Sequence, residues 1–222
     1  KVVQGGYDLA VAFDGDADRC LAVDEKGTVV DGDKLIAIIS KYMRDKGQLR
    51  NDTAVVTVMS NLGFHTYMKN NNLSTVCTAV GDRYVLEEML KSGYNIGGEQ
   101  SGHIIFLDYA TTGDGQLTAV QLITMMNEVK TSLSQLTAGI EDYPQLLVNV
   151  KITESGKNKW DKNEAILAAI KDAENAMGDN GRVLVRESGT EPLVRVMLEG
   201  RNADEVDYWT NKIADVVREQ LC

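Results

Sequence analysis

A chain of 222 residues is long enough for one large domain or two small ones, and its 43% hydrophobic residues can supply folded cores. The formal net charge of −10 argues against a nucleic-acid binder and a polybasic membrane-surface protein, since both need a positive footprint. Three widely separated cysteines without metal-ligand spacing argue against a disulfide framework or a zinc site, so a reducing cytoplasm is the predicted location.

The ends of the chain carry few targeting signals. No apolar run approaches the ~20 residues of a membrane-spanning helix, and the N-terminus lacks a signal-peptide pattern. We therefore expect neither a membrane nor a nucleic-acid partner. The chain begins at Lys1 rather than Met, and only one predicted strand precedes the first acidic segment. This start predicts that the 222 residues are a piece of a longer polypeptide.

The first predicted elements are strands at residues 8–13 and 20–30, with a hairpin turn at 24–27. Between the strands lies a segment that we call the acidic loop, residues 14–19, in which Asp14, Asp16 and Asp18 alternate. Carboxylates this close repel one another, and a hard cation with oxygen ligands is the usual way to stabilise them. The spacing predicts a Mg²⁺ or Ca²⁺ site and chemistry on an anion.

Two other interpretations of the acidic loop stay open at this point. The first alternative is an ordinary solvated turn. The second is a calcium loop of the EF-hand type, with Asp14, Asp16 and Asp18 at positions 1, 3 and 5 and Glu25 at position 12. Position 6 is occupied by Arg19, where the sharp turn needs glycine, and the flanks are predicted as strands rather than helices. Both features disfavour the calcium loop.

Residues 31–141 are predicted to form one α/β domain, because strands and amphipathic helices alternate there. We expect helices at 33–46, 61–70, 82–92 and 115–130, strands at 53–59 and 74–79, and a strand from 96 that is interrupted at 97–103 and resumes at 104–107.

The pattern breaks at 141–144, where Pro144 ends any preceding helix. Beyond it we expect a small α+β domain, residues 142–222, while residues 1–30 would be the end of a preceding α/β domain. Its predicted elements are strands at 146–152, 182–186 and 193–198, and helices at 161–177 and 203–221.

A second candidate site is Gly-Glu-Gln-Ser-Gly-His at residues 98–103, which we call the GEQSGH loop. Its glycines allow close approach of a ligand, and Glu99 and Ser101, as alternate residues, are expected to face one side with groups that bind sugar hydroxyls. His103 adds a group that titrates near neutral pH, although a lone histidine is more often structural. His65 is predicted to be structural.

Two further segments carry basic residues. Arg83 follows a strand-to-helix turn, where open α/β sheets bind ligands, and could reach a phosphate or remain solvated. The segment 186–192 offers a guanidinium, two hydroxyls and a glycine whose neighbouring N–H groups can turn toward an anion, and Arg195 follows on the next strand. If this segment binds phosphate, the predicted binding residues are Arg186, Ser188, Gly189, Thr190 and Arg195. The alternative is that the segment is an ordinary polar turn.

A metal loop, a hydroxyl-binding loop and a phosphate-binding loop in one chain indicate phosphoryl transfer on a phosphosugar. In this order the acidic loop, the GEQSGH loop and residues 186–192 resemble the α-D-phosphohexomutase superfamily, over residues 8 to about 198. Gln100 and the segment 112–115 resemble its bacterial phosphoglucosamine mutase branch. The resemblance implies interconversion of glucosamine 6-phosphate and glucosamine 1-phosphate in cell-wall precursor synthesis, through a bisphosphorylated intermediate, a phosphoserine and Mg²⁺.

Carried over to this sequence, the resemblance implies a role for each site residue. The three aspartates would hold Mg²⁺, Arg19 would stabilise the transferring phosphoryl group, and His103 would lie near the path of proton transfer. Glu99 and Ser101 would bind sugar hydroxyls. Arg186, Ser188, Gly189 and Thr190, with the help of Arg195, would hold the phosphate that does not react, on a mobile domain that lets the intermediate reorient.

One feature of the family is missing from these 222 residues. No serine lies in a Thr-Ala-Ser-His-Asn type of segment, and Ser40 and Ser60 have different neighbours. The sequence therefore predicts that this chain alone has no mutase activity. The alternatives are a phosphomannomutase or phosphoglucomutase type of enzyme and a non-catalytic module that binds Mg²⁺ and phosphosugar. A homodimer is left open.

Overall fold

The structure is a computed structural model that describes residues 1–188 and 191–222. It divides into two compact units, Lys1–Asp142 (unit 1) and Tyr143–Cys222 (unit 2). Both combine helices with sheets, which confirms the predicted α/β fold class. The predicted boundaries at residues 30 and 141 remain predictions.

Unit 1 opens with a short helix and an antiparallel sheet of order β1-β2-β3. The elements are α1 Val2–Gly5, β1 Leu9–Phe13, β2 Cys20–Asp24 and β3 Val29–Val30. The acidic loop connects β1 to β2, so it is flanked by strands and not by the helices of an EF-hand. Glu25, the twelfth position of a calcium loop, instead accepts hydrogen bonds from the backbone N–H and the hydroxyl of Ser134.

The main sheet of unit 1 has the order β5-β4-β6-β7. Strand β4 is parallel to β5 and β6, as the predicted βαβ alternation requires, and β7 is antiparallel to β6. The elements in chain order are α2 Gly32–Asp45, β4 Thr53–Thr57, α3 Leu62–Asn70, β5 Ser74–Thr78, α4 Asp82–Ser92, β6 Ile96–Gly98, β7 Ile104–Phe106, α5 Gly115–Val129 and α6 Leu133–Thr137.

Helices cover both faces of this sheet, which explains why the central strand β4 is buried throughout. Ala54 and Val56 point into a core shared with α2 and α3. Val55, between them, points the other way, where it packs with Val85 and Met89 of α4. The period of two along the strand therefore distributes its side chains between two hydrophobic clusters.

The chain reverses direction at the GEQSGH loop, which differs from the predicted interrupted strand. Strands β6 and β7 form a hairpin, with Gly98 opposite Ile104. Gly102, at a φ of +94°, adopts the left-handed conformation that closes the turn. Because the apolar runs on either side of the loop are short, their sequence does not distinguish a bent strand from a hairpin.

Two short helices, α1 and α6, were not predicted. Helix α6 begins with a capping box in which Ser132 and Gln135 exchange side-chain and backbone hydrogen bonds. Five residues are too few to show a hydrophobic period, so the capping box was the only available signal.

Unit 2 is a three-stranded antiparallel sheet of order β8-β10-β9 with two helices. Alternate residues of β10, including Val194, Val196 and Leu198, pack with the helices in one core. Helix α7 begins three residues later than predicted, because Asn163 caps its N-terminus. The elements are β8 Gln145–Lys151, α7 Glu164–Met177, β9 Gly181–Glu187, β10 Leu193–Gly200 and α8 Ala203–Leu221. Across residues 1–188 and 191–222, no helix has both the length and the apolar character needed to traverse a bilayer.

We predict that Ser134→Ala raises the pKa of Glu25 from about 2 toward its ordinary value of 4.5, because the Ser134 hydroxyl is the main cause of the lowered pKa. A pKa below the unfolded value means that the carboxylate stabilises the fold above pH 4.5 and that this contribution disappears as the pH falls toward 2. The variant should lose unfolding free energy at neutral pH and little in strong acid.

An NMR titration of the Glu25 carboxyl measures the change in pKa, and urea unfolding at neutral pH and in strong acid measures the change in unfolding free energy. Ser74→Ala, an exposed serine on β5, is the matched control. An unchanged Glu25 titration in Ser134→Ala would show that the Ser134 hydroxyl is not what lowers the pKa of Glu25.

Candidate functional site

The acidic loop brings its three carboxylates together. One oxygen from each of Asp14, Asp16 and Asp18 lies within 4.8 Å of the others. The loop backbone is held in this shape by the Arg19 N–H, which donates to Asp14 Oδ1 over 3.2 Å, and by Ala17 at a left-handed φ of +61°. A non-glycine residue in that conformation stores strain, which is a cost that a ligand site commonly carries.

Asp18 is the most enclosed of the three. Its Oδ2 lies 3.0 Å from Nδ1 of His103. Its Oδ1 is buried and accepts no hydrogen bond from any residue in the described ranges. A carboxylate oxygen that is shielded from water and accepts no hydrogen bond is costly, and a hard divalent cation satisfies it. The donor set of three carboxylates therefore fits Mg²⁺.

Arg19 lies at the edge of the same cluster. Its Nε is 3.7 Å from Asp14 Oδ2 and 3.9 Å from Asp18 Oδ1, and about half of its side chain is exposed. Its backbone forms a β-bridge with His103. The structure thus brings the predicted residues Arg19, His103 and the three aspartates together in unit 1.

The GEQSGH loop is seated on the N-terminus of α2 at Gly32. The Gly32 N–H donates to the Gln100 carbonyl over 3.0 Å. A Cβ at Gly32 would lie 2.1 Å from the Glu99 carbonyl oxygen and 2.7 Å from the Gly102 nitrogen. Only glycine leaves room for this approach. The sequence gave no sign of it, because Gly32 simply precedes the predicted helix 33–46.

The turn, rather than a strand pleat, orients Glu99 and Ser101. The predicted alternation does not apply, because the Gly102 N–H donates to the Glu99 carbonyl within the turn. Glu99 Oε1 accepts the Gly81 N–H over 3.1 Å, while Ser101 is exposed. One oxygen of Glu99 is thus engaged by the protein, and the Ser101 hydroxyl faces solvent.

Gln100 is half-buried and contacts Asp31, the N-cap residue of α2. Its side-chain amide donates to Asp31 Oδ2 over 3.3 Å, and the other oxygen accepts the Lys34 N–H over 3.0 Å. Burial raises the pKa of Asp31. The amide of Gln100 therefore braces the loop against the helix.

A third segment, residues 112–115, contacts both loops and was not predicted as part of the site. The Gly113 N–H donates to His103 Nε2 over 3.0 Å, and the Gly115 N–H donates to the Ala17 carbonyl over 2.9 Å. Asp114 caps α5 between them. Two glycines around an N-cap aspartate indicate close backbone contacts, which is the signal that could have found this segment.

Arg83 is not brought to these groups. Its guanidinium is exposed and pairs with Glu87 on the same helix over 2.7 Å, which raises its pKa. Its predicted phosphate contact remains a prediction.

The second basic site lies in unit 2. Arg186 and Arg195 are directly opposite each other on β9 and β10. Burial, and then the charge of Arg195, lower the pKa of Arg186. Arg195 Nε is buried without a hydrogen-bond partner in the part of unit 2 that is described. Ser188 is buried at the following turn, where its Oγ accepts the Glu191 N–H. Gly189 and Thr190 lie outside the described residues.

A neighbouring pair on the same strands shows what is unusual here. Arg182 of β9 opposes Glu199 of β10, and Arg182 Nε lies 2.6 Å from a Glu199 carboxylate oxygen that is fully buried. The Arg186–Arg195 pair instead opposes two positive charges, an arrangement that is unfavourable by itself. An anion between them removes that cost.

The chain matches the family described as phosphoglucomutase/phosphomannomutase in two segments. Residues 31–143 match its alpha/beta/alpha domain III and residues 147–216 its C-terminal domain. Phosphoglucosamine mutase of Streptococcus pneumoniae serotype 19F (strain G54) is 55% identical over 220 residues, 99% of this chain and 49% of the relative. That of Streptococcus agalactiae serotype Ia is 54% identical over the same shares. The chain spans about half the length of these curated relatives.

Two solved structures share the fold. A phosphoglucomutase/phosphomannomutase family protein of Burkholderia thailandensis matches with a TM-score of 0.80 at 17% identity. The match covers 100% of this chain and 49% of the Burkholderia chain. N-acetylphosphoglucosamine mutase of Aspergillus fumigatus, in complex with GlcNAc-6P and magnesium, has a TM-score of 0.76 at 23% identity and covers 95% and 48%.

We predict that Gly32→Ala destabilises unit 1 by about 2 kcal/mol, the usual range for overpacking, although alanine at an open helix position would stabilise by up to about 1 kcal/mol. The reason is the 2.1 Å approach of the new Cβ to the Glu99 carbonyl, which is backbone and cannot rotate away. Urea unfolding measures the loss, and NMR shift changes at Glu99 and Ser101 locate it. Gly15→Ala, whose Cβ meets nothing within 4 Å, is the control and should leave stability nearly unchanged.

Proposed function

Because this chain belongs to the phosphoglucomutase/phosphomannomutase family, we propose that it works as part of a phosphoglucosamine mutase. Such an enzyme interconverts glucosamine 6-phosphate and glucosamine 1-phosphate through a sugar bisphosphate. The preference for an amino sugar is supported by relatives of that name at 55% identity. It draws no support from Gln100, whose amide faces Asp31. Since the chain spans half of those relatives, the activity of the whole protein belongs to this proposal.

One observation carries the proposal: the buried Oδ1 of Asp18, which accepts no hydrogen bond from the described residues, belongs to a cluster of three carboxylates, and the other oxygen of Asp18 contacts a histidine of the GEQSGH loop. A solvated turn would not bury a carboxylate oxygen without a partner. A cation site joined to a loop with exposed hydroxyl-binding groups is what phosphoryl transfer on a sugar requires.

Asp14, Asp16 and Asp18 would hold Mg²⁺. Bound there, the ion would offset charge on the oxygens of the phosphoryl group in transfer. Arg19, half exposed and within 4 Å of two of the carboxylates, presents its guanidinium to the same phosphoryl group. The carrier serine that the mutase reaction needs is not assigned to this chain.

The remaining groups bind the substrate. In unit 1, Gly81 holds one oxygen of Glu99, which leaves the other oxygen and the Ser101 hydroxyl to bind sugar hydroxyls. In unit 2, Arg186 and Arg195 bind a phosphate that relieves their mutual repulsion. The further substrate-binding residues in this proposal are Ser188, Gly189, Thr190 and Arg83.

The family description also favours a second candidate, a mutase for glucose or mannose phosphates. The two differ only in the sugar. An assay of the longest polypeptide that the gene encodes, with glucosamine, glucose and mannose 6-phosphates, decides between them. We expect the highest kcat/KM for glucosamine 6-phosphate. No turnover of any of the three would contradict both candidates and leave a non-catalytic binding module.

We predict that Asp16→Asn raises the Kd for Mn²⁺, used as a spectroscopic substitute for Mg²⁺, by at least about 10-fold. Loss of a residue that only orients a metal ligand already weakens metal binding by that factor, and Asp16 would be a ligand itself. Arg19 and His103 contact Asp14 and Asp18 instead of Asp16, so the substitution leaves those contacts in place. Electron paramagnetic resonance of the 222-residue chain measures free Mn²⁺. Asp172→Asn on α7 makes the same charge change elsewhere, and equal weakening by both variants would contradict a specific site.

We predict that Arg195→Ala weakens binding of glucosamine 6-phosphate by about 10-fold or more, because a hydrogen bond to a charged group contributes about 1.5–3 kcal/mol. A calorimetric titration measures the change. Arg218→Ala, which removes one exposed charge from α8, should change the Kd little. If removal of the Arg195 charge slightly stabilises the fold without altering Kd, the arginine pair does not bind phosphate.

A further inference from the structure

Cys77 and His65 form a pair of reactive side chains outside the acidic loop and the GEQSGH loop. The Sγ atom of Cys77 lies 3.9 Å from Nε2 of His65, a hydrogen-bonding distance for sulfur. Nδ1 of the same ring lies 3.1 Å from the hydroxyl oxygen of Thr75. A nucleophile, a base within reach of it and a third group that orients the base are the parts of an activated thiol.

Strand β5 and helix α3 bring these side chains together. Thr75 and Cys77 are alternate residues of β5, so they share one face of the sheet. Val76, between them, packs with the hydrophobic cluster that α4 covers on the other face. His65 lies in the first turn of α3, and its ring packs edge-on against Phe64 with the ring centroids 5.2 Å apart. The imidazole is therefore held beside the thiol.

Each ring nitrogen has its own partner. Nε2 faces the thiol, where a neutral ring accepts the thiol proton. The hydroxyl of Thr75 accepts a hydrogen bond from a protonated Nδ1, and this contact persists when the ring becomes an imidazolium. Transfer of the proton leaves a thiolate beside a cation, and this neighbour is one of those that activate cysteines in proteins.

The other groups packed against β5 contribute little charge to this pair. Strand β4 places two apolar side chains, Ala54 and Val56, opposite the two residues of β5. Helix α4 lies on the other face of the sheet. Helix α3 carries two further ionisable side chains, of which Tyr67 is buried in the core and Lys69 is exposed one turn beyond His65. Lys69 is therefore the charge that a test has to separate from the imidazole.

The other two cysteines provide a comparison within the same chain. Cys20 is fully buried, and burial raises the pKa of its thiol to about 11. Cys222 is exposed, and its thiol donates to the carbonyl oxygen of Lys151 over 2.9 Å. Cys77 is exposed on an edge strand, and its thiol contacts a base. It thus combines access for a reagent with a means of forming the thiolate.

A metal is not the ligand that this pair fits. A structural zinc site uses four ligands, whereas Cys77 and His65 supply two. Within residues 1–188 and 191–222, three metal-binding side chains come together at the acidic loop and not on β5. The chemistry of an exposed thiol beside a base is instead nucleophilic attack.

We propose that Cys77 is a reactive thiol, activated by His65, that exchanges with small disulfides. Nε2 accepts the thiol proton, and the thiolate attacks one sulfur of the disulfide. A new S–S bond to Cys77 forms as the old S–S bond breaks, and the departing thiolate takes the proton from the imidazolium. The product is a mixed disulfide on β5. The inference goes beyond the proposed function and does not depend on it.

The first test uses the unaltered 222-residue chain and 2-hydroxyethyl disulfide at pH 7, with the modified cysteines identified by mass spectrometry. We expect Cys77 to form the mixed disulfide at least about 3-fold faster than Cys222, and Cys20 to be protected in the folded chain. Equal rates at Cys77 and Cys222, or a faster reaction at Cys222, overturn the inference.

The second test removes the base. One pH unit of easier ionisation raises the thiolate fraction up to about 10-fold, and the lower nucleophilicity of that thiolate cancels about 3-fold of it. We therefore expect His65→Gln to slow the reaction of Cys77 by about 3-fold or more at pH 7, and to move its rate profile to higher pH. Lys69→Gln removes the exposed charge on the same helix and should slow it less than about 2-fold. An unchanged rate in His65→Gln, or equal slowing in both variants, overturns the inference.

The third test concerns the group that orients the base. Thr75→Val keeps the shape of the side chain and removes the hydroxyl, so we expect slower reaction of Cys77, whereas Thr75→Ser keeps the hydroxyl and should retain the rate. Protection of the buried Cys20 reports in every variant that unit 1 is folded. If Thr75→Val and Thr75→Ser react at the same rate, the hydroxyl does not orient the ring and the activated arrangement is wrong.

Discussion

Repulsion among three carboxylates within 4.8 Å of one another is the constraint around which the loops of unit 1 are arranged. The carboxylates of Asp14 and Asp18 contact hydrogen-bond donors, which are the Arg19 backbone, the Arg19 guanidinium and the His103 ring. These contacts reduce the repulsion but leave Asp18 Oδ1 unsatisfied. A loop that used aspartates only to terminate a strand would not bury that oxygen. In the proposed function, a cation would be the partner of that oxygen.

Unit 2 shows the same principle with the opposite sign. Along β9 and β10, one cross-strand pair is a neutralised arginine and glutamate, and the other opposes two arginines. The first pair is satisfied within the sheet, and it therefore serves the fold. The second lies among partly buried residues, where burial and the charge of Arg195 lower the pKa of Arg186, and in the proposed function a phosphate would offset these charges. The contrast between these two cross-strand pairs, four residues apart on the same strands, is what marks Arg186 and Arg195 as candidates for binding.

Period and capping predicted most of the fold, because α2, α4, α5, α7 and α8 are long enough to show their apolar faces. The β6–β7 hairpin was missed because strands of three residues carry no period, and α6 because it has five residues. The acidic side chains of the site were visible in sequence, since their spacing is local. The contact of Gly32 was not, because a glycine's role in a distant close approach leaves no local pattern. Gly113 differs, because it stands beside an N-cap aspartate that marks the segment.

The net charge of −10 gives these local arrangements their meaning. A phosphosugar is an anion, and the average field of this chain repels it. Binding therefore requires positive charge that is concentrated and not already neutralised by the chain's own carboxylates. In the proposed function, Arg186 and Arg195 would provide it in unit 2, and in unit 1 the carboxylates would provide it by holding a divalent cation. An acidic protein can thus act on phosphates, provided that its acidic residues are grouped closely enough to bind a metal.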